Sequence, residues 1–388
     1  MTGFLEGVRV IEFCTVAAGP FSTMLLADMG ADVVKVEHPK AGDTMRAWPP
    51  LTDNYSENFA SLNRNKRSVA LDLKDPDGNA AARALVAGAD VVIENNRPGV
   101  MARLGLDYAT VSAGNPGLVY CSISAFGQTG PRAKEGGFDL TLQAMAGVMS
   151  VTGEPGGDPV KCGVPISDFT TGLYAGFAVA SALRGRAHTG KGAFIDASMF
   201  GCSLAVAALQ TSEYFGNGTD PAKLGSAHPR NAPYQAFRTR DGHLALAAGN
   251  NSLFAATCRA IERPDLIDDA RFGSTGLRSQ HQDDLREILE KYFADRTVDE
   301  LLTLFRAAGV PCAPINTYSQ ALADPQVEHM DWVRPLTLPN GSQTRTFVSP
   351  LRIDGRGAVD IAPPPLLGQH TDEVLAELDV ATAARGAS

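Results

Sequence analysis

The stretch VRVIEFCTVAAGPFSTMLLADMGADVVKVE, Val8–Glu37, predicts the fold class because its pattern changes from strand to helix and back to strand. Val8–Phe13 and Asp32–Glu37 are short runs rich in β-branched residues, which is typical of buried strands. Between them, Pro20–Met29 starts with a proline at a first-turn position and continues with the apolar spacing of a helix. A strand, a helix and a second strand in this order predict neighbouring parallel strands.

The same alternation continues over the first two hundred residues. More strands are predicted at Ser68–Leu73, Asp90–Asn95, Leu118–Ser124 and Ala193–Met199. Helices are predicted at Pro76–Ala87 with Asp75 as its cap, Asp107–Ser112, Phe138–Met149 and Phe169–Leu183. The pattern predicts an α/β fold with a Rossmann-like, doubly wound parallel sheet. Ligands of such sheets bind beyond the carboxyl ends of the strands. We therefore expect the functional loops at Cys14–Gly19, Glu37–Asp43, Asn95–Gly99 and Ala125–Gly137.

The rest of the chain is predicted to add a second, smaller domain. Residues 216–233 are rich in Gly, Pro and Asn, which indicates a linker. Tyr234–Asn250 has the pattern of a hairpin turning at Asp241-Gly242, and helical periodicity follows it. The predicted division is 1–215 for the first part of a large domain, 216–233 for the linker, 234–323 for a small α+β domain, and 324–388 for a linker and a C-terminal return to the large domain, with Thr371 capping the closing helix.

Composition and charge exclude several classes of protein. The 388 residues are 44% hydrophobic and 20% charged, an ordinary globular balance. The formal charge of −9 argues against a nucleic-acid partner, because such proteins usually carry a basic face. No export signal and no apolar run long enough to cross a membrane is visible, so we expect a cytoplasmic protein without a membrane partner. Six scattered cysteines without a CxxC pair indicate buried apolar residues rather than disulfides or a metal site.

The loop after the first predicted strand argues against the usual ligands of such sheets. A dinucleotide site needs the spacing G-x-G-x-x-G, whereas this loop holds only Gly19 before Pro20. Glu37 stands where a ribose-binding acid would be expected, but it lacks that glycine context. The sequence also lacks a P-loop, a G-x-S-x-G elbow and an HExxH pair. Hydride transfer, nucleotide hydrolysis and serine hydrolysis are therefore disfavoured.

A single carboxylate at the start of a predicted helix is the most informative residue that remains. In PISDFTTGLYAG, Pro165–Gly176, Asp168 directly precedes the apolar stripe of that helix. In the simplest interpretation Ser167 or Asp168 is the N-cap. The same position would also let free backbone amides and the helix dipole keep a catalytic carboxylate ionised. The spacing of residues does not choose between the two roles.

Motifs in a fixed order along nearly the whole chain resemble those of the class III CoA-transferases, the CaiB/BaiF type. They are GVRVIEFCTVAAGP, ADVVKVEHPKAGD, NRNKRSVALDLKDPDG, VVIENNRPGVMARLGLDY, SISAFGQTGP, GGFD, PISDFTTG, HTGKGAFIDASM and PPLLGQHTDEVL. This family includes formyl-CoA, carnitine and succinyl-CoA-dependent transferases and the 2-methylacyl-CoA racemases. The resemblance implies a Rossmann-like large domain with an inserted small domain, and an interlocked homodimer.

By this resemblance Asp168 matches the family's nucleophilic aspartate, which would form an anhydride with the acyl group and then a thioester with CoA. Such intermediates hydrolyse, so the site must exclude water, and Gly249 lies where family members close a glycine-bearing loop. CoA and acyl-CoA are implied as substrates, with no tightly bound cofactor and no metal. The residues that match the family's CoA contacts are Val16, Ala17, His38, Leu71, Lys74, Asn95, Asn96, Arg97, Arg103, Gly137 and Phe138.

Three positions depart from members of the family. Ala17 stands where formyl-CoA transferase has glutamine and His38 where it has arginine, which argues against formyl-CoA/oxalate exchange. Phe138 occupies the position at which the racemases have a histidine, and phenylalanine cannot act as acid or base, whether or not it is an ordinary core aromatic. We expect an enzyme that moves CoA from succinyl-CoA or another short acyl-CoA to a small carboxylic acid. A 2-methylacyl-CoA racemase and a non-catalytic CoA-binding protein are the alternatives.

Overall fold

The computed structural model describes residues 3–355, 357 and 360–386. Its strands are β1 (Arg9–Phe13), β2 (Asp32–Glu37), β3 (Leu51–Thr52), β4 (Tyr55–Ser56), β5 (Lys66–Ala70), β6 (Val91–Glu94), β7 (Val119–Ser124), β8 (Ala193–Ser198), β9 (Tyr234–Arg238), β10 (His243–Ala247), β11 (Cys312–Pro314), β12 (Val333–Thr337) and β13 (Gln343–Phe347). Its helices are α1 (Ala18–Asp28), α2 (Glu57–Asn63), α3 (Pro76–Ala87), α4 (Val100–Leu104), α5 (Tyr108–Val111), α6 (Asp139–Met145), α7 (Val148–Val151), α8 (Ile166–Thr189), α9 (Met199–Val206), α10 (Ala208–Asn217), α11 (Asn251–Ala260), α12 (Thr275–Gln280), α13 (Gln282–Phe293), α14 (Val298–Ala307), α15 (Tyr318–Leu322), α16 (Pro325–His329) and α17 (Thr371–Gly386). Short 3₁₀ helices lie at Thr44–Ala47 and Pro264–Ile267.

The described residues form a six-stranded sheet with the order β5-β2-β1-β6-β7-β8. Every neighbouring pair in it is parallel, and Val10 of β1 lies between Val33 of β2 and Val91 of β6. The predicted parallel α/β sheet is therefore confirmed. The direction of strand succession reverses between β1 and β6, so the loops that follow these two strands diverge and leave a crevice at the carboxyl edge.

Apolar side chains cover both faces of this sheet. On one face Val10 packs in a cluster with Val179 of α8, and both are fully buried. On the other face Ile11 packs with Leu85 of α3 and Val374 of α17. Burial on both faces favours strands rich in apolar residues, which explains the Val and Ile residues within β1, β2, β6 and β7.

Four charged side chains lie among these apolar residues: Glu12, Lys35, Asp43 and Lys66, here called the buried charge cluster. The Lys35 Nζ lies 2.8 Å from Glu12 Oε1 and 3.0 Å from Asp43 Oδ2. The Lys66 Nζ lies 3.0 Å from Glu12 Oε2, and all four side chains are fully buried. Burial alone would raise the pKa of Glu12, but the two lysines outweigh it and lower that pKa to about 2. The two positive charges are thus balanced by two negative ones, as buried ions require.

The C-terminal segment pairs with β5, the outer strand of the sheet. The His370 amide donates to the Ser68 carbonyl at 2.9 Å, and the Ser68 amide donates to His370 Nδ1 at 3.2 Å. The predicted cap Thr371 is instead the first residue of α17, and its hydroxyl accepts from the Ala70 amide at 3.0 Å. The outward backbone groups of this edge strand are therefore covered by residues about 300 positions later in the chain.

By its internal contacts the chain divides into two compact units. The first comprises Met1–Val148, Lys161–Gly218 and Gln326–Ser388 and contains the six-stranded sheet. The second comprises Met149–Val160 and Thr219–Pro325, so that 149–160, which the sequence assigned to the large domain, groups with the smaller unit. The second unit contains the antiparallel sheet β11-β10-β9. Its β9–β10 pairing confirms the hairpin predicted from the sequence.

The second unit holds the loop of Gly249 in place through a buried arginine. Arg278 is 1% exposed and donates to the carbonyls of Ala232 at 2.7 Å and Gly249 at 2.9 Å. A Cβ at Gly249 would lie 2.6 Å from the Cβ of Asn231, which is too close for any larger residue. Glycine is therefore required at this position by packing within the unit.

Some local expectations are corrected by the structure. The helix predicted at Phe169–Leu183 is α8, which begins three residues earlier and ends at Thr189. The helix predicted at Phe138–Met149 is interrupted at Gly147, whose φ of +80° ends α6 before α7 begins. All six cysteines are free thiols, but the buried apolar environment expected for them holds only for Cys14, Cys121 and Cys258, while Cys162, Cys202 and Cys312 are half-buried.

Candidate active site

A cavity of about 410 Å³ lies at the carboxyl edge of the six-stranded sheet. The loops after β1, β6 and β7 line it, together with the first turn of α8 and the residue that follows β8. The lining residues are Thr15, Val16, Ala17, Ala18, Asn95, Asn96, Arg97, Pro98, Ile123, Ser124, Ala125, Glu135, Gly136, Gly137, Phe138, Thr141, Asp168 and Met199. Its place at the reversal of strand order is where open parallel sheets bind their ligands.

Asp168 lies in the first turn of α8, and a residue of another helix caps that turn. The N-cap position, Pro165, makes no side-chain hydrogen bond. Instead Asp139 Oδ1 accepts from the Ser167 amide at 2.9 Å and from the Asp168 amide at 3.4 Å. The predicted cap at Ser167 or Asp168 is therefore wrong, because α8 starts earlier at Ile166 and Asp139 satisfies its amides. The Asp168 carboxyl does not cap the helix and lines the cavity.

The surroundings of Asp168 raise the pKa of its carboxyl to about 7. Burial is the main cause, because a half-buried carboxylate loses hydration, and the negative charge of Asp139 adds repulsion. This raised pKa runs against the expectation that the helix start keeps the group ionised, because burial and Asp139 both disfavour the charged form. Near neutral pH the carboxyl is divided between its two protonation states, which is typical of groups that perform chemistry.

Buried polar contacts hold Asp139 in this position. Gln143 Nε2 donates to Asp139 Oδ2 at 2.6 Å, and Gln143 Oε1 accepts from the Cys162 amide at 2.8 Å. Gln143 is fully buried, so this bridge fastens α6 to the segment that leads into α8. Asp139 thus both fixes the backbone of Asp168 and contributes to the charge around it.

Phe138 precedes α6 and is 74% exposed, so it is not a core aromatic. It lines the same cavity as Asp168. The glycines before it serve close packing: a Cβ at Gly137 would lie 2.3 Å from Leu142 Cδ2, and one at Gly136 would lie 3.1 Å from Arg97 Nη2. The two glycines therefore let this loop approach α6 and the Arg97 guanidinium closely.

Val16 forms part of the cavity wall in an unusual backbone conformation. Its φ is +66°, a left-handed conformation that β-branched residues rarely adopt. Both carboxylate oxygens of Asp43 accept from the Val16 amide, each at 3.2 Å. Asn95 holds the preceding residue, Thr15, by accepting from its amide at 3.0 Å and donating to its carbonyl at 2.8 Å. The loops after β1 and β6 are fastened together at the cavity by these contacts.

The structure brings most of the predicted site residues to this cavity. Those that line it are Val16, Ala17, Asn95, Asn96, Arg97, Gly137, Phe138 and Asp168. His38, Lys74 and Arg103 are exposed side chains outside its lining. Leu71 is 7% exposed, its side chain belongs to the apolar core beneath the sheet, and it lies outside the cavity lining.

Two residues that shape the cavity were not predicted from the sequence, Asp139 and Asp43. Each is an aspartate at the start of a helical turn, and Asp43 accepts from the Met45 amide at 3.0 Å. That position is a visible signal for a cap. Their contacts to Asp168 and Val16 span 29 and 27 residues, and no local pattern predicts them.

Neither a metal site nor a membrane span is present in the described part of the chain. Among residues 3–355, 357 and 360–386, no group of three or more His, Cys, Asp or Glu side chains is arranged to hold a metal ion. None of the helices in these residues combines the length and apolar character that crossing a membrane requires.

Comparison with known proteins identifies the family. The family model of CoA-transferase family III matches residues 5–371. The chain is 40% identical over 375 residues to succinyl-CoA:glutarate CoA-transferase of Mus musculus, covering 96% of this chain and 86% of that protein. It is 41% identical over 382 residues to succinate–glutarate CoA-transferase of Agrobacterium fabrum, covering 97% and 96%. The crystal structure of a CaiB/BaiF family protein from Brucella suis superimposes with a TM-score of 0.86 at 38% identity, covering 97% of this chain and all of that one. The chain belongs to CoA-transferase family III and is a transferase.

Proposed function

We propose that this enzyme transfers CoA from succinyl-CoA to a short dicarboxylic acid such as glutarate, with Asp168 as the nucleophile. The observation that carries the proposal is the Asp168 carboxyl, which is half-buried, takes no part in capping α8 and lines the cavity at the sheet edge. The names of the similar mouse and Agrobacterium enzymes support succinyl and glutaryl groups as the exchanged acids.

The proposed reaction proceeds through covalent intermediates on Asp168. A carboxylate oxygen of Asp168 attacks the thioester carbonyl of succinyl-CoA, the C–S bond breaks, and a mixed anhydride and CoA thiolate result. The thiolate then attacks the Asp168 acyl carbon of the anhydride, which releases succinate and leaves an aspartyl-CoA thioester. Glutarate attacks this thioester, and the released thiolate takes the glutaryl group from the second anhydride. Glutaryl-CoA leaves and the Asp168 carboxylate is regenerated.

The electrostatic environment favours this chemistry. Ionised Asp168 carries a charge that burial and Asp139 disfavour, as its raised pKa indicates. Formation of an anhydride or a thioester removes that charge and therefore relieves both the desolvation and the repulsion. The acylated states are therefore stabilised relative to the free carboxylate, which lowers the free energy needed to form them.

The predicted CoA contacts are proposed to divide between the cavity and its surroundings. The residues of the cavity wall, including Asn95, Arg97 and Gly137, would hold the part of CoA that carries the thiol. The exposed Lys74 and Arg103 offer positive charge for the phosphates. By resemblance to the family we also propose a cytoplasmic, interlocked homodimer without a tightly bound cofactor, and sedimentation of the purified chain tests the dimer.

Product analysis tests the proposed reaction. Incubation of the enzyme with succinyl-CoA and glutarate, succinate analogues or monocarboxylates is expected to yield new CoA esters, with dicarboxylates favoured. Mass analysis of the Asp168 peptide is expected to find an acyl or CoA adduct that hydroxylamine removes. New CoA esters without any adduct would contradict the covalent mechanism, and the absence of new esters across the acids would contradict the assigned substrates.

Racemisation of a 2-methylacyl-CoA is the second candidate, because a carboxyl with a pKa of about 7 suits proton transfer. It requires a second acid or base, and Phe138 cannot supply one. Incubation of a 2-methylacyl-CoA in D₂O separates the candidates. Rapid deuterium uptake at C2 would favour racemisation, whereas the proposed transferase leaves C2 unlabelled.

Replacement of Asp139 by asparagine tests the origin of the raised pKa. In the native enzyme we expect kcat/KM to fall as the pH decreases through about 7, because protonated Asp168 is not nucleophilic. The Asp139→Asn substitution removes the repelling charge but keeps an oxygen for the α8 amides. The pH at which kcat/KM falls to half its maximum is therefore expected to decrease by about one unit. Asp139→Ala is the comparison, since it also removes the cap and with it on the order of 1 kcal/mol of stability. If kcat/KM falls at the same pH in Asp139→Asn as in the native enzyme, Asp139 does not raise this pKa.

A further inference from the structure

We propose that Asp43, held by Lys35, is a positioning residue that fixes Val16 in its left-handed conformation and so sets the shape of the active-site wall. Asp43 does not line the cavity and is fully buried, so it acts through the Val16 backbone rather than on a substrate. The inference concerns the enzyme's own geometry and uses the proposed substrates only for its assay.

The conformation of Val16 needs an external support. A branched Cβ at a φ of +66° collides with its own backbone, and such a conformation persists only where surrounding contacts impose it. Glycine is the residue that occupies this region without strain, yet the chain has valine here. The contact that counters the strain is the pair of hydrogen bonds, each 3.2 Å, from the Val16 amide to the two oxygens of Asp43.

Asp43 is itself held in place by a charged partner and by its own backbone. The Lys35 Nζ lies 3.0 Å from Asp43 Oδ2 and donates to the Cys14 carbonyl at 2.8 Å, two residues before Val16. Glu37 Oε1 accepts from the Asp43 amide at 2.9 Å, so both the side chain and the backbone of Asp43 are held. Lys35 therefore binds the turn directly through the Cys14 carbonyl and also holds Asp43, which accepts from the Val16 amide of the same turn.

The charges buried in this core are explained by the atoms that they position rather than by added stability. A buried ion network is seldom more stable than well-packed apolar residues of the same volume, because desolvation offsets most of the attraction. What such a network provides is directional contacts. Lys35 and Asp43 hold particular atoms at particular distances, which apolar side chains do not. In this molecule the atoms so held belong to the turn Cys14–Val16, and its last residue faces the cavity of Asp168.

A double-mutant cycle tests the assignment. Asp43→Asn replaces the carboxylate that Lys35 holds with a neutral amide of the same shape, and we expect kcat/KM to fall by about tenfold to a hundredfold, as misplacement in an active site does. Val16→Gly lowers activity in its own right, since it removes a side chain from the wall. In the Val16→Gly background, however, Asp43→Asn is expected to cost at most a few-fold, because glycine adopts the positive φ without support.

A matched control separates positioning from general destabilisation. Asp28→Asn also breaks a buried pair, with Arg64 at 2.6 Å, but at the far end of α1 and away from the cavity. We expect it to lower the melting temperature as much as Asp43→Asn does, with kcat and KM unchanged. If Asp43→Asn does not fold, the neutral pair Lys35→Met with Asp43→Ala is compared with and without Val16→Gly.

The expected loss lies mainly in kcat, because the wall is misplaced while the outer CoA contacts are intact. Equal losses from Asp43→Asn in the native and Val16→Gly backgrounds, or full activity of Asp43→Asn, would overturn the assignment. A crystal structure of Asp43→Asn gives a readout independent of substrate, and a φ at Val16 still near its native value would overturn it as well. If the native enzyme is inactive with succinyl-CoA and glutarate, the proposed substrates fail while this structural comparison still decides the role of Asp43.

Discussion

Replacement of Asp168 by asparagine is expected to abolish CoA transfer while making the folded protein more stable above pH 7. The amide cannot form the anhydride or the thioester, so kcat is expected to fall by on the order of 10³-fold or more. The gain in stability follows from the raised pKa of about 7. Between about pH 4 and 7 the folded state keeps a proton that the unfolded state releases, so stability falls as the pH rises through that window. Asparagine carries no such charge and avoids the loss.

The measurement combines activity with thermal unfolding at several pH values. Asp283→Asn is a matched control, because Asp283 also lies in the first turn of a helix, α13, but its side chain is 83% exposed. There the carboxylate complements the helix dipole and forms an exposed ion pair with Arg286 at 3.2 Å, so its loss should slightly lower stability and leave activity intact. An Asp168→Asn protein that retains transferase activity, or that is less stable than the native enzyme at pH 8, would contradict the role assigned to Asp168.

Replacement of Glu12 by glutamine is expected to be among the most destabilising single changes in the first unit. Glu12 is the anion shared by Lys35 and Lys66, at 2.8 and 3.0 Å, and no water can reach the three side chains. Breaking a buried pair by removing one partner costs about 3 to 5 kcal/mol, because uncompensated charge remains in the core. The pKa of Glu12, lowered to about 2, gives the pH dependence: its contribution is complete above about pH 4.5 and is lost as the pH falls towards 2.

Urea unfolding measures this effect, with an exposed ion pair as the control. Glu373→Gln removes a partner of Arg67 at 3.1 Å, but the glutamate side chain is 59% exposed, so the change should cost less than about 1 kcal/mol. Adding Lys66→Met to Glu12→Gln restores the charge balance of the buried cluster and is expected to recover part of the loss. Comparable midpoints for Glu12→Gln and Glu373→Gln would contradict the importance of the cluster.

The sequence predicts the elements of this enzyme well because its parallel sheet is buried on both faces. Such strands are rich in Val, Ile and other apolar residues, and the helices between them carry their own stop and start signals, such as Asp75 before α3, whose side chain accepts from two amides of that helix. The ends of elements are less predictable. The start of α8 depends on Asp139, a residue of a different helix, and no periodicity within α8 contains that information.

The same limit applies to the candidate site. The expected loops after β1, β6 and β7 line the cavity and eight of the proposed residues meet there, whereas the expected loop Glu37–Asp43 is not part of its lining. The pKa of Asp168 and the backbone conformation of Val16, however, do not follow from the order of the strands. Asp168 has a raised pKa because of burial and of Asp139, and Val16 adopts its φ beside Asp43. These properties arise from contacts between residues 27 to 29 positions apart, and local propensity and residue spacing do not predict such contacts.

The pairing of the C-terminal segment with β5 has a consequence for folding during synthesis of the protein. β5 is complete once residue 70 has been made, but its covering residues His370 and Thr371 are synthesised about 300 residues later. Until those residues are made, the outward backbone groups of β5 have no covering segment, and an uncovered strand edge is a template for pairing with other chains. His370 and Thr371 thus cover this strand edge only at the end of synthesis, and misassembly during synthesis is expected to begin at a part of the chain that is made early.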